Sequence, residues 1–295
     1  MRSPRRRTMI VGGLGAVAAG AFGVGVVRSS RSTATRVTTI TGTLRSTARR
    51  ADAPWVTVYP PGVDPYRPVL PTGGRVPVVV ALHGYGSSET ILSTLGLDVA
   101  LGEAVAAGTP PFVLASIAGG NGYWHARRDG TDSGRMVVEE FLPSLAAAGL
   151  AATGVYRVGF LGWSMGGYGA IRLAEQLGAS RVAALAAASP ALWLRPGDTP
   201  QGAFDDAEDF HLNDVFGRRD LLRGIPVRVD CGSSDPFLAA TRSFVAGLTP
   251  APSGSFGPGR HDNTYWRTLA AAQLTFLGAA LAGTTQRPGQ AVPSG

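Results

Sequence analysis

The sequence predicts an α/β protein: a doubly wound, mostly parallel sheet with helices on both faces and no large lid. Three observations carry this. Short apolar runs alternate with stretches of helical spacing across residues 51–283. The run 76–82 is apolar at every position, as expected of a central strand buried on both faces. The chain has 295 residues, 44% apolar and 16% charged, which suits one large domain behind a leader better than two domains.

The leader comes first. Arg5-Arg6-Arg7 precede an apolar, glycine-rich stretch that runs to Val27. A positive segment before a modestly hydrophobic one reads as an export signal of the twin-arginine type. Residues 9–27 are also long enough to act as an uncleaved membrane anchor. Either route places the body outside the cytoplasm. Residues 1–35 are therefore assigned to a signal or anchor. Residues 36–50, rich in Ser, Thr and Arg, read as a linker, although 37–44 also carries a strand-like pattern. Residues 51–283 form the domain, and 284–295 a loose tail.

Within the domain, strands are expected at 55–59, 76–82, 112–115, 156–161, 182–188 and 227–231, with a last short one at 253–256. Helices are expected at 92–107, 135–148, 167–176, 237–248 and 265–281. Residues 196–224 read as polar loop with a weak helix.

All 27 basic residues are arginine, ten of them within residues 1–50, which hold no acid. From residue 51 the net charge is −3, so the basic balance belongs to the leader. No basic, aromatic-interleaved patch remains in the body, and nucleic-acid binding is excluded. The single cysteine, Cys231, permits no intrachain disulfide and reads as a small buried residue ending a strand.

The chemistry centres on Gly162-Trp163-Ser164-Met165-Gly166, between the expected strand 156–161 and helix 167–176. A serine on a sharp strand-to-helix turn, with glycines where side chains would clash, is a nucleophile elbow. Serine needs an adjacent base, and His261, between the last strand and helix, is the candidate. Asp235, in the loop after strand 227–231, is the orienting acid. Asp230 points from within the strand, and Asp262 adjoins the base and reaches its far nitrogen poorly. A tetrahedral oxyanion needs N–H donors: Met165, after the nucleophile, and Tyr85 in His83-Gly84-Tyr85-Gly86. His83, Trp124, His125 and Trp163 are weaker candidates for substrate binding. Arg127-Arg128 and the acidic run Asp205, Asp206, Glu208, Asp209 read as solvated surface, with the wrong spacing for a calcium loop. No zinc, nucleotide or flavin motif appears, so neither metal nor cofactor is expected.

These motifs, with Gly167-Tyr168-Gly169 after the elbow and His261-Asp262-x-x-Tyr265-Trp266, together resemble the esterase D-like α/β-hydrolases. That superfamily holds S-formylglutathione hydrolases, feruloyl and acetyl-xylan esterases and secreted mycolyltransferases. The likeness covers roughly residues 50–283. It implies an α/β-hydrolase fold and a serine esterase acting on small-molecule, glycan or lipid esters. The triad would be Ser164, Asp235 and His261, with oxyanion donors Tyr85 and Met165. The alternatives are an acyltransferase, where a sugar or lipid hydroxyl replaces water, and a non-catalytic cell-envelope binding module.

Overall fold

A computed structural model describes residues 25–28 and 33–283. The strands β1 (Gly25–Arg28), β2 (Thr38–Ser46), β3 (Ala51–Tyr59), β4 (Val78–Leu82), β5 (Val113–Ile117), β6 (Val158–Trp163), β7 (Val182–Ala188) and β8 (Val227–Asp230) form one eight-stranded sheet. Its order is β1-β2-β3-β5-β4-β6-β7-β8. The first three strands pair antiparallel, as does β3 with β5, and every pairing from β5 through β8 is parallel.

The apolar runs are continuous because the parallel strands are covered on both faces. Along β4, Val78, Val80 and Leu82 pack into one apolar layer and Val79 and Ala81 into the other. The first layer is closed by α5 (Met165–Leu177), α7 (Leu238–Ala246) and the segment 133–147. The second is closed by α1 (Ile91–Thr94), α2 (Leu97–Ala106) and α8 (Asn263–Ala282). Phe160 on β6 is fully buried, and cutting it to alanine is expected to cost about 3–5 kcal/mol.

Several expectations are corrected. Residues 36–50 are not a linker: β2 lies there and pairs with β3 along its whole length, from Thr38↔Tyr59 to Ser46↔Ala51. Its threonines gave the polar composition of a linker, yet β-branched side chains favour strands, and Ile40 and Ser46 face inward. Gly25–Arg28, at the end of the expected leader, pairs with β2. The helix at 92–107 is two, because Gly96 adopts φ 69° between α1 and α2. The helix at 135–148 is interrupted by a π-helical turn, Met136–Phe141, between α3 (Ser133–Arg135) and α4 (Leu142–Ala147).

The strand at 253–256 reduces to a bridge from Arg228 to Ser253. Hydrogen bonds from Val229 N–H and Cys231 N–H to the Ser253 and Ser255 carbonyls nevertheless lay this segment along β8 and lead the chain toward His261. The connection 189–226 holds one short α-helix, α6 (Ala207–Leu212), two 3-10 helical turns at Pro196–Asp198 and Phe216–Leu222, and no large lid. Among the described residues no helix is long and apolar enough to cross a membrane. The leader's residues 1–24, which include most of the 9–27 stretch, and the tail 284–295 lie outside the described residues.

Candidate active site

The parallel strands point their C-terminal ends at one crevice, where ligands bind in open α/β sheets. β6 ends at Trp163 and α5 begins at Met165, leaving Ser164 alone in the turn at φ 54°, ψ −121°. That backbone is strained for a non-glycine residue, by on the order of 1–3 kcal/mol, and persists only where its surroundings hold it. Here they do. Ser164 N–H donates to the Ala188 carbonyl at 3.1 Å, and the Ser164 carbonyl accepts from Tyr168 and Ala191 N–H. The elbow glycines are steric necessities. A Cβ on Gly162 would stand 2.1 Å from the Gly166 carbonyl oxygen, and one on Gly166 would stand 1.9 Å from that of Leu82.

His261, just before α8, places Nε2 2.8 Å from Ser164 Oγ and Nδ1 2.9 Å from Asp235 Oδ2. With Nδ1 protonated, the imidazole donates to Asp235 and accepts the serine proton at Nε2. The Asp235 side chain is fully buried, whereas His261 keeps 23% of its side chain exposed. Burial alone would raise the Asp235 carboxyl, but hydrogen bonds from His261, the Ser189 hydroxyl and Phe237 N–H outweigh it. The carboxyl is held below its ordinary range. The rival acids are engaged elsewhere: Asp230 pairs with Arg228 at 2.8 Å, and Asp262 caps α8 by accepting from Tyr265 N–H.

Across the crevice, a Cβ on Gly84 would stand 3.5 Å from Ser164 Cβ, so this backbone passes at van der Waals distance from the nucleophile. The adjoining Tyr85 N–H, like Met165 N–H at the start of α5, donates to no carbonyl or side chain among the described residues. Gly86 N–H is tied to Asn121 Oδ1 at 2.8 Å.

His83 braces this loop from below and, fully buried, presents no surface to the crevice. Its Nδ1–H donates to the Gly84 carbonyl at 2.8 Å and its Nε2 accepts from Gly119 N–H at 2.9 Å. Burial pushes its pKa down to about 4; the Gly84 bond opposes this and the Arg49 charge adds to it.

The other expected substrate contacts are corrected too. Trp124, His125 and Trp163 are, like His83, 0% exposed. Trp163 ends β6 and points, by strand alternation, into the layer under α2 and α8. Trp124 lies beneath the 119–125 loop with its indole N–H toward the His83 carbonyl. His125 stacks on Phe204 and its Nε2 lies 3.3 Å from Asp209. Nor is the acidic run merely solvated: Asp205 pairs with Arg127 at 2.9 Å and Asp206 with Arg128, which ties the 121–132 loop to α6.

An arc of rings leads away from His261; the sequence points to Tyr85 among them, as an oxyanion donor, but not to Trp193 or Phe237. Tyr85, Tyr123, Trp193 and Phe237 follow one another at centroid spacings of 6.3, 5.7 and 5.3 Å, and Phe237 ends the arc 5.1 Å from His261. Tyr85 is 62% exposed, and Trp193 and Phe237 are partly so. Position relative to Asp235 was the available signal for Phe237; Trp193 sits in irregular chain and had none. Cys231 is buried at the end of β8, and burial pushes its thiol up to about 12. Among the described residues no cluster of three or more His, Cys, Asp or Glu is placed to hold a metal ion.

No family model and no curated protein matches the chain. Solved structures do. A ferulic acid esterase is similar at 20% identity and TM-score 0.69, covering 83% of this chain and 98% of that one. An S-formylglutathione hydrolase from Agrobacterium tumefaciens is similar at 14% identity and TM-score 0.66, covering 87% and 99%. A ferulic acid esterase from Anaeromyces mucronatus, solved with ferulic acid, is similar at 16% identity and TM-score 0.61, covering 92% and 94%. The chain thus has the α/β-hydrolase fold, in the form shared by these esterases and hydrolases.

Proposed function

We propose that this chain is a serine carboxylic-ester hydrolase of the esterase D-like group. The supporting observation is the unbroken hydrogen-bond path from Ser164 through His261 to buried Asp235, at 2.8 and 2.9 Å. Ser164 Oγ attacks the ester carbonyl while His261 Nε2 takes its proton. Asp235 orients the imidazole and stabilises its cationic form. The Tyr85 and Met165 N–H groups receive the developing oxyanion. His261 then protonates the leaving alkoxide, and water, activated by the same imidazole, resolves the acyl-enzyme. The aromatic arc offers an apolar wall for the acyl or alcohol group.

The test is turnover of a p-nitrophenyl ester series, from acetate to palmitate, by residues 25–295, with fluorophosphonate labelling alongside. Serine-dependent turnover lost in Ser164→Ala supports the reading. Equal turnover by the variant, or no turnover and no labelling of the parent chain, defeats it. On the leader's composition alone we also propose that the chain is exported. Replacing Arg5, Arg6 and Arg7 by lysine should then retain the chain in the cytoplasm.

A further inference from the structure

His261 is held by more than its two hydrogen bonds. Trp266, in the first turn of α8, meets the imidazole edge-on, with centroids 5.0 Å apart and planes at 84°. The indole is itself anchored: Trp266 Nε1–H donates to Ser189 Oγ at 3.0 Å. Ser189, the residue after β7, is fully buried at φ 47°, a left-handed backbone unusual for a non-glycine residue. Its N–H donates to the Asp230 carbonyl at 2.7 Å, which holds that conformation. Glycine would adopt this backbone freely. A serine there presents a hydroxyl instead, near enough to the Asp235 carboxylate to help hold it low. The contacts run from Asp235 to His261, from His261 to Trp266 and from Trp266 to Ser189, which returns the chain of contacts to the neighbourhood of Asp235.

We propose that Ser189 and Trp266 are a positioning pair that fixes the acid and the base relative to one another. This rests on the serine-hydrolase reading above. Imidazole χ2 is a soft torsion. Bonds at Nδ1 and Nε2 alone leave the ring able to rock, and a displacement of about 1 Å can cost on the order of a hundredfold in rate. The Trp266 ring limits that rocking, and Ser189 seats the indole through its hydroxyl beside the carboxylate that orients His261. The remaining titratable groups that feel Asp235 are the Cys231 thiol and the Tyr265 phenol. Both stay neutral, each pushed up to about 12 by burial.

The experiment compares the parent chain with Ser189→Ala, Ser189→Gly and Trp266→Phe in two readouts. The first is ester turnover across pH. Ser189→Ala should lower kcat about tenfold, on the scale of a small misplacement of the reacting groups, with KM nearly unchanged. Its acid limb of kcat/KM should move to higher pH, because the Asp235 carboxylate loses a polar neighbour that lowers its affinity for a proton. Trp266→Phe keeps a ring but removes the N–H, and should show a smaller loss. Ser189→Gly keeps the backbone without strain, so it should fold even if the alanine variant does not, and be as impaired as expected of Ser189→Ala. The second readout is the NMR resonance of the His261–Asp235 hydrogen-bond proton, which needs no turnover. It should exchange faster in all three variants. A Ser189→Gly chain with the parent's kcat, pH profile and resonance would overturn the pair. A parent chain that hydrolyses no ester would defeat the proposed function, and the resonance would still decide the pair.

Discussion

The wall built from residues 83–86 and 119–124 and the wall built from 231–237 and 261–266 each contain a histidine, and they use it in opposite ways. His83 is fully buried, accepts a backbone N–H, donates to a backbone carbonyl and is kept neutral by its surroundings. His261 is partly open to solvent and bonded to one hydroxyl and one carboxylate. One imidazole is a fixed strut under a loop; the other has a proton donor on one nitrogen, a carboxylate on the other and room for a leaving group to arrive. The residue type does not set the role. Burial and the polarity of the partners do.

The largest expected effects fall on the second wall. His261→Ala and Asp235→Asn should each lower kcat by about four orders of magnitude while the chain stays folded, as read by ester kinetics and urea unfolding. A similar kinetic loss in a stable His83 variant would erase the distinction between the walls. His83→Leu should instead show its main effect in unfolding. It strands the Gly119 N–H and the Gly84 carbonyl in a buried site, at about 2–4 kcal/mol in total.

Acid titration sharpens the contrast. His83 stays neutral in the folded chain down to about 4, whereas its unfolded value is 6.5. The unfolded chain therefore binds the proton first, and stability falls as pH drops from 6.5 to 4. Asp235 has the opposite chemistry, with its folded value lowered. Its contribution is present above the ordinary carboxyl range and is lost as pH falls through the folded value. Urea midpoints measured from pH 7 to 3 should decline in the upper window for the parent chain, and less steeply there for His83→Leu.

The smallest expected effect on turnover lies at Glu175, in the last turn of α5 and away from both walls. Both carboxylate oxygens of Glu175 lack partners, and burial pushes its pKa up to about 9 from 4.5. The folded chain holds this proton more tightly than the unfolded one, so stability falls as pH rises from 4.5 through 9. Glu175→Met should flatten the decline in Tm between pH 7 and 9 without changing kcat. A changed kcat would mean that α5 transmits strain to the elbow.

Much of the site was legible because its signals are local. The apolar run, the flanking glycines and the helical spacing mark the elbow within about a dozen residues, and the order Ser164, Asp235, His261 follows the chain. The central strands were equally plain, since burial on both faces leaves them almost wholly apolar, with Ser116 of β5 bonded to the Ala81 carbonyl. What failed depended on distant packing. Trp124, His125 and Trp163 have the composition of a binding surface, but helices and loops elsewhere in the chain cover them. Trp193 and Tyr123 gain their place only when the 119–125 loop meets the segment after β7. The threonines of β2 looked like a linker because strand pairing is a contact with β3, which composition does not encode. The π-helical turn at Met136–Phe141 left no mark on the periodicity that suggested one helix.

The lone thiol at the end of β8 gives this protein an internal clock. Cys231 is buried, its proton is held tightly, and the chain has no second cysteine to confuse the signal. A disulfide reagent can reach it only when the strand end and the loop carrying Asp235 part from their neighbours. The rate at which the native protein is labelled therefore counts the openings of its acid-bearing loop. Any ligand that tightens the crevice should slow that count, with no dye, tag or substitution added to the chain.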